Sequence, residues 1–363
     1  MNDSKKKQRK NFAAKLLRWY RKHRRELPFR GTDDPYTVWV SEMMLQQTQV
    51  ATMLPYFDRF MERFPTVKEL AEAPLDEVLS CWAGLGYYRR ARYLHAGAKQ
   101  IVGDHDGKFP GSRSELLKLP GIGPYTAGAI LSIAFNQPEP LLDGNVQRVL
   151  CRVFELAGDP EKGETHRRLW LLAEELIPEG KAGDYNQAMM ELGALVCSPK
   201  SPGCEQCPVS DFCGAKRNGR VDEFPQLRNH RPSEKVESAA AVIKHRGRYL
   251  IAQRRPEAVL GGLWEFPLVE RTGKLPARSL LRRGVRRMVG LEVEVGGLLT
   301  RVHHTIMKRR ICLEAFECRV ASGKAAPSAY DSVRWVRPAD FEKFALSSAP
   351  AQIVKVLMQK NDE

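Results

Sequence analysis

The 363-residue sequence has no apolar run long enough to act as a secretion signal or to cross a membrane. It is therefore read as an intracellular chain, in the cytoplasm or nucleoid if bacterial, with no membrane partner. Acidic residues are in the minority: 43 Asp and Glu face 58 Lys and Arg, a formal net charge of +15. Such an excess points to a polyanionic partner, most often nucleic acid, although a merely soluble basic protein has the same composition. Cysteine is scarce, at eight residues, and only Cys204 and Cys207 form a C-x2-C knuckle. A second knuckle, which a structural zinc site usually brings, is missing. Cys81, Cys151, Cys312 and Cys318 are scattered and read as reduced structural thiols.

The other four cysteines are concentrated. Cys197, Cys204, Cys207 and Cys213 are spaced C-x6-C-x2-C-x5-C in a stretch with prolines at 199, 202 and 208. Such a loop is irregular and able to wrap a ligand. Four thiolates at this spacing suit one iron–sulfur cluster, with zinc the competing occupant.

The chain is long enough for two domains. Residues 1–10 are a basic tail, read as solvated. From 11 to about 196 apolar residues recur every three or four positions, as helices require, and the cysteine loop closes a helical domain at 214. Residues 215–235 are polar, contain prolines and read as a linker. Beyond 236 the pattern changes. AAAVIKHRGRYLIAQRR reads as two strands turning at Arg246-Gly247, SLLRRGVRRMVG as a helix, and ICLEAFECRV as a half-buried strand. An α+β domain over 236–350 is expected.

Three motifs carry chemistry. LLKLPGIGPYTAGAILSIAF (116–135) reads as helix, glycine turn, helix. Pro120 stops the first helix, Gly121 and Gly123 permit positive φ, and Pro124 opens the second helix. The turn presents N–H groups and a helix N-terminus, a phosphate site; the plainer reading is a tight helical turn. In LLDGNVQRVL (141–150), Asp143 precedes a basic amphipathic helix and on its own is an N-cap. In WVSEMMLQQTQV (39–50), Glu42 lies among Trp39, Val40, Met43 and Met44. Apolar neighbours raise a carboxyl pKa, so Glu42 can hold a proton near neutrality; otherwise it is a solvated helix position.

These segments, with GLGYYRRAR (84–92), NQAMMELGALVC (186–197) and the cysteine loop, resemble in colinear order the adenine DNA glycosylase (MutY) family of the endonuclease III-like helix–hairpin–helix superfamily. The resemblance spans about residues 11–214. It implies an all-α N-terminal half, two helical lobes plus the iron–sulfur loop, holding one 4Fe-4S cluster on the four cysteines. It implies base excision repair initiated by hydrolysis of the N-glycosidic bond of adenine opposite 8-oxoguanine or G in double-stranded DNA, by a monomer. Glu42 is implied as the acid and Asp143 as the group that stabilises or captures the sugar cation, assisted by Tyr125 and Asn145. Tyr125 stands where lyase members have a lysine, which implies base removal without strand cleavage. Gln47, Thr48 and Tyr87 are implied near the vacated and opposing bases, and Arg25, Arg30 and Gln187 at the adenine pocket. Two alternatives stay open: a same-fold glycosylase for T or U opposite G, and a non-catalytic lesion-sensing DNA-binding protein.

GGLWEFP (261–267) resembles the run before the Nudix box. Aligned from it, the four box glutamates fall on Leu275, Gly284, Arg287 and Met288, while Arg283, Gly290 and the apolar positions survive. Magnesium needs carboxylate oxygens, so no magnesium-dependent hydrolysis is expected, only a scaffold with a basic face. The resemblance implies that this domain reads 8-oxoguanine. The expected Phe-Ser-His loop aligns with Ile306, Met307 and Lys308, without the hydroxyl; His304 and Thr305 are the substitutes at hand.

Overall fold

The computed structural model describes residues 3–226, 234–271, 275–306 and 308–362. Met307 lies outside the described residues. Two compact units form, one from the described residues of 1–71 and 96–230, the other from those of 72–95 and 231–363. No helix among the described residues is long and apolar enough to cross a membrane.

The N-terminal stretches are helical: α1 Asp3–His23, α2 Pro35–Leu45, α3 Val50–Arg63, α4 Val67–Glu72, α5 Leu75–Trp82, α6 Arg89–His105, α7 Arg113–Leu116, α8 Pro124–Ile133, α9 Gly144–Phe154, α10 Gly163–Glu175, α11 Ala182–Leu195 and α12 Gly214–Arg217. The basic run expected to be solvated tail is instead the first turns of α1. α1 buries Leu16 and Tyr20 against Val149 and Leu150 of α9 and Met189 and Leu192 of α11, the core of the first unit. α8 is apolar on all sides and buried from Thr126 to Ser132, which its run of small and aliphatic residues dictates. Its close packing needs Gly128, where a Cβ would lie 2.0 Å from the Pro140 carbonyl oxygen.

Part of the expected linker belongs to this unit. Ala215 and Phe224 are buried in its core. Arg152, only 2 % exposed, donates to the carbonyls of Val221 (3.2 Å) and Phe224 (3.0 Å) and fixes the segment.

The second unit takes in α5 and the first turns of α6, which a boundary at 214 would leave with the helical domain. Polar groups just before and within α6 meet C-terminal backbone: Tyr88 Oη donates to the Leu346 carbonyl (3.3 Å) and Arg92 Nη1 to that of Pro256 (3.0 Å). The rest is a mixed sheet of β1 Glu234–His245, β2 Arg248–Gln253, β3 Trp264–Glu265, β4 Leu268–Glu270, β5 Leu291–Ile306, β6 Arg309–Gly323 and β7 Ser332–Val336, with helices α13 Ala277–Val289 and α14 Ser348–Asp362. β1 and β2 turn at Arg246 and Gly247, both at positive φ, the two-residue hairpin expected. β1 runs parallel to β6 at the centre. Ala239, Ala241 and Ile243 face α13 residues Leu281 and Val285; Ala240 and Val242 join Ile353 and Leu357 of α14 in the other core. Burial on both faces explains the unbroken apolar run in β1.

Candidate active site

Residues from five segments of the first unit line an open cleft of about 970 Å³. Eleven of the residues singled out in the sequence come together there: Arg25, Arg30, Glu42, Gln47, Thr48, Gly121, Gly123, Tyr125, Asp143, Asn145 and Gln187. Tyr87, His304 and Thr305 belong to the second unit.

Asp34 starts α2 by accepting from the N–H groups of Tyr36 and Thr37, and Pro35 follows as its first residue. The helix carries Glu42 into the cleft wall with only 6 % of its surface exposed. Burial pushes the Glu42 carboxyl up to about 7; the Tyr125 hydroxyl, which donates to Oε2, works against that, the Asp143 charge adds to it, and Arg30 lowers it. Glu42 thus titrates near neutrality.

Asp143 does cap α9. Its Oδ1 accepts the Val146 N–H at 2.7 Å and its Oδ2 accepts Asn145 Nδ2 at 2.8 Å. Burial raises its pKa, against the lowering effect of those hydrogen bonds and of Arg148. Both oxygens of Asp143 meet N–H donors, which favour the charged form, whereas Glu42 meets one hydroxyl. The two carboxyls share a cleft in unlike environments, the condition for separate acid and base roles.

The hairpin differs in detail from its sequence reading. Its first helix, α7, begins earlier and covers one turn, capped by Ser112. Gly121 has φ +77°, as a glycine turn requires, but Gly123 has φ −96° and ψ 179°, an extended N-cap for α8. Pro124 is the first residue of α8.

Gln47 and Tyr87 share a feature that sequence does not show. Both hold left-handed backbone, φ +57° and +48°, and both side chains are exposed. The same left-handed backbone occurs at six further non-glycine residues among those described, Arg246 of the β1–β2 turn among them. Under Tyr87, Arg90 donates to the Gly86 carbonyl at 3.1 Å and stacks its guanidinium on Trp82 and Tyr87.

Sequence reasoning missed Glu191, the buried partner of both Arg25 and Arg30. In the basic amphipathic helix α9, Arg148 and Arg152 are only 9 % and 2 % exposed. Arg148 donates to Asn145 Oδ1 (2.8 Å), to the Gly193 carbonyl (2.7 Å) and to the Cys197 carbonyl (2.7 Å), joining the Asp143 turn to the cysteine loop. The signal was their spacing: four apart, they share the helix face toward that loop.

Cys197, Cys204, Cys207 and Cys213 line a second cavity, with Val149, Val153, Leu192 and Val209 among its apolar walls. Arg152 Nη1 lies 3.3 Å from Cys197 Sγ. Among the described residues no three His, Cys, Asp or Glu side chains are drawn together as a single ion would hold them. Four thiols around one cavity are a donor set that an iron–sulfur cluster or a zinc ion accepts.

In the second unit, His304 and Thr305 sit near the end of β5, paired with Ile311 and Arg310 of β6. His304 is half-buried with Nδ1 enclosed and unpartnered among the described residues. On α13, a Cβ at Gly284 would lie 2.2 Å from Val269 Cγ1, so β4 fills the place of that box glutamate.

Residues 40–175 match the HhH-GPD superfamily base excision DNA repair protein family, and residues 238–356 match the NUDIX domain. The adenine DNA glycosylase of Homo sapiens is 34% identical over 401 residues, covering 95% of this chain and 73% of the relative. That of Buchnera aphidicola subsp. Schizaphis graminum is 38% identical over 257 residues, 70% of this chain and 74% of the relative. Among solved structures, a thermostable thymine-DNA glycosylase superposes with a TM-score of 0.54 at 32% identity, over 59% of this chain and 99% of that one. Endonuclease III in a non-covalent DNA complex shares the fold, with a TM-score of 0.50 at 24% identity over 59% of this chain and 97% of that one. With its helical unit, carboxylate cleft and cysteine loop followed by a Nudix-like domain, the chain belongs to the adenine DNA glycosylase family.

Proposed function

We propose that the protein is a monofunctional DNA glycosylase that hydrolyses the N-glycosidic bond of adenine paired with 8-oxoguanine or G in double-stranded DNA. The observation that carries this reading is the pairing of Glu42, held near pH 7 by burial, with Asp143 in one cleft. Breaking the bond needs a better leaving group and a stabilised oxocarbenium-like sugar. Glu42 donates its proton to adenine N7, and Asp143 stabilises the sugar cation or bonds to it until water arrives. Tyr125 orients the Glu42 carboxyl and Asn145 holds Asp143 for the sugar. With tyrosine at 125, no amine is present there to form a Schiff base and cleave the strand.

Adenine reaches the cleft by leaving the helix stack. Gln47, exposed on left-handed backbone with Thr48 next to it, probes the duplex once the base has left, and Tyr87 is assigned an intercalating role of its own. Arg25, Arg30 and Gln187 line the base pocket, while Gly121, Gly123 and the α8 N-terminus hold phosphate. His304 and Thr305 are the groups proposed to meet the 8-oxoguanine. The enzyme acts as a monomer inside the cell.

The four cysteines hold a 4Fe-4S cluster. Burial pushes the Cys207 thiol up to about 12 and raises Cys204 and Cys213, so thiolates there need the charge of bound iron. Bound iron would cross-link the four cysteines of the loop to one another, while Arg148 and Arg152 tie that loop to α9, and it would take no part in bond breaking. No magnesium chemistry is assigned to the Nudix-like unit.

The test is a single-turnover assay on A·8-oxoguanine, A·G, T·G and U·G duplexes, with alkali to reveal abasic sites. Adenine release from the first two, with no strand break before alkali, is expected. Release of thymine instead would move the protein toward the specificity of the thymine-DNA glycosylase it is similar to. Binding with no release from any duplex would leave a lesion sensor.

A further inference from the structure

Glu191, on α11, is fully enclosed, its side chain 0 % exposed, at the wall of a cleft open to solvent. Arg25 reaches it three times: its backbone N–H and Nε both meet Oε1 at 2.9 Å, and Nη2 meets Oε2 at 2.7 Å. Arg30 Nη2 meets the same Oε2 at 2.6 Å, and Arg30 Nη1 reaches the Arg25 carbonyl at 3.3 Å. A surface ion pair contributes little, but an enclosed carboxylate with several charge-assisted donors fixes geometry. Here it ties down the segment between α1 and α2, which is itself neither helix nor strand.

We propose that Glu191 is the positioning residue of the base-binding wall: it sets the Arg25 and Arg30 guanidiniums side by side and cancels one of their two charges where Arg30 faces Glu42. The proposal rests on Glu42 acting as the acid for base release. Burial works to raise the Glu191 carboxyl, but the hydrogen bonds from Arg25 and Arg30 outweigh it and hold the group at about 2, so it stays charged wherever the enzyme works. The groups acting on Glu42 are Tyr125 from α8, Asp143 at the start of α9 and Arg30 from the wall, and Arg30 favours the carboxylate. Without Glu191 the wall carries two net positive charges in place of one, and Glu42 gives up its proton at lower pH.

The deciding experiment is a 13C titration of the Glu42 carboxyl in the full chain, labelled at glutamate and assigned with Glu42→Gln. In Glu191→Gln the Glu42 midpoint is expected to fall by roughly one pH unit. An unchanged midpoint overturns the charge role. Because Glu191→Gln leaves two guanidiniums without an anion and can unfold the wall, the double variant Glu191→Gln/Arg25→Gln restores a single charge. Its midpoint should return toward that of the unaltered chain, and a midpoint still low overturns the proposal. In single-turnover adenine release, the basic limb of the pH profile should move down with the midpoint. A purely structural Glu191 would lower the rate equally at every pH. If the unaltered chain releases no adenine, the functional reading fails on its own, while the titration still judges Glu191.

Discussion

The cleft and helix α13 handle acidic groups in opposite ways. In the cleft, three carboxyls have three kinds of partner: a hydroxyl for Glu42, N–H groups for Asp143, two guanidiniums for Glu191. The first titrates near 7 and the last near 2. On α13, glutamate positions of the box hold Gly284, Arg287 and Met288, and Arg282, Arg283, Arg286 and Arg287 are exposed. Gly284 and Met288 are buried, so two box positions have become packing. The contrast teaches that a carboxylate's chemistry comes from its partner, and that box positions without carboxylates are filled by packing or turned to a basic surface.

Asp143→Asn should break the cleft side most severely. Adenine release is expected to fall roughly a thousandfold, with duplex affinity in a mobility-shift assay retained. Full turnover would remove Asp143 from the chemistry. Glu42→Gln should cost about a hundredfold or more. The sign of its pH effect follows from the need for the protonated form: the rate of the unaltered enzyme falls as pH rises through about 7. That limb should vanish in the variant, and its survival would assign the acid elsewhere. Gly284→Glu, which restores a box glutamate, should meet Val269 and lower stability by about 3 kcal/mol, read by thermal melting, with no gain of pyrophosphate hydrolysis. The mildest change is Arg282→Gln/Arg283→Gln/Arg287→Gln. Adenine release at saturating enzyme should hold, while the slope of log affinity against log salt drops by roughly 0.9 for each phosphate no longer neutralised. An unchanged slope would leave the basic face of α13 without a DNA role.

Much of the cleft was legible because its signals are local. Glu42 sits in an apolar run, Asp143 before a helix start, and Pro124 at a helix N-terminus, each readable within a dozen residues. Glu191 was not legible, because its partners Arg25 and Arg30 lie on the far side of the sequence and only folding joins them. The roles of Arg148 and Arg152 were not legible for a related reason. Basic residues on an amphipathic helix usually face water, and here the carbonyls of a distant loop take its place. The strain at Gln47 and Tyr87 left no trace either, since neither residue favours left-handed backbone. In the second unit, the strands and the Arg246-Gly247 turn followed from alternation and turn chemistry. The inclusion of residues 72–95 with that unit did not, because it rests on hydrogen bonds to remote carbonyls such as that from Tyr88 to Leu346.

The Arg152 clasp determines where the chain tolerates cutting. Its guanidinium grips Ser198 on one side and Val221 and Phe224 on the other, so the cysteine loop is latched from beyond its last cysteine. A protease nick after residue 214 would free Phe224 from the core and strand donors that have no water to turn to. A nick after 226 would leave the latch shut. Limited digestion should therefore release a fragment whose edge lies past the latch, and any shorter fragment should be the first to be lost.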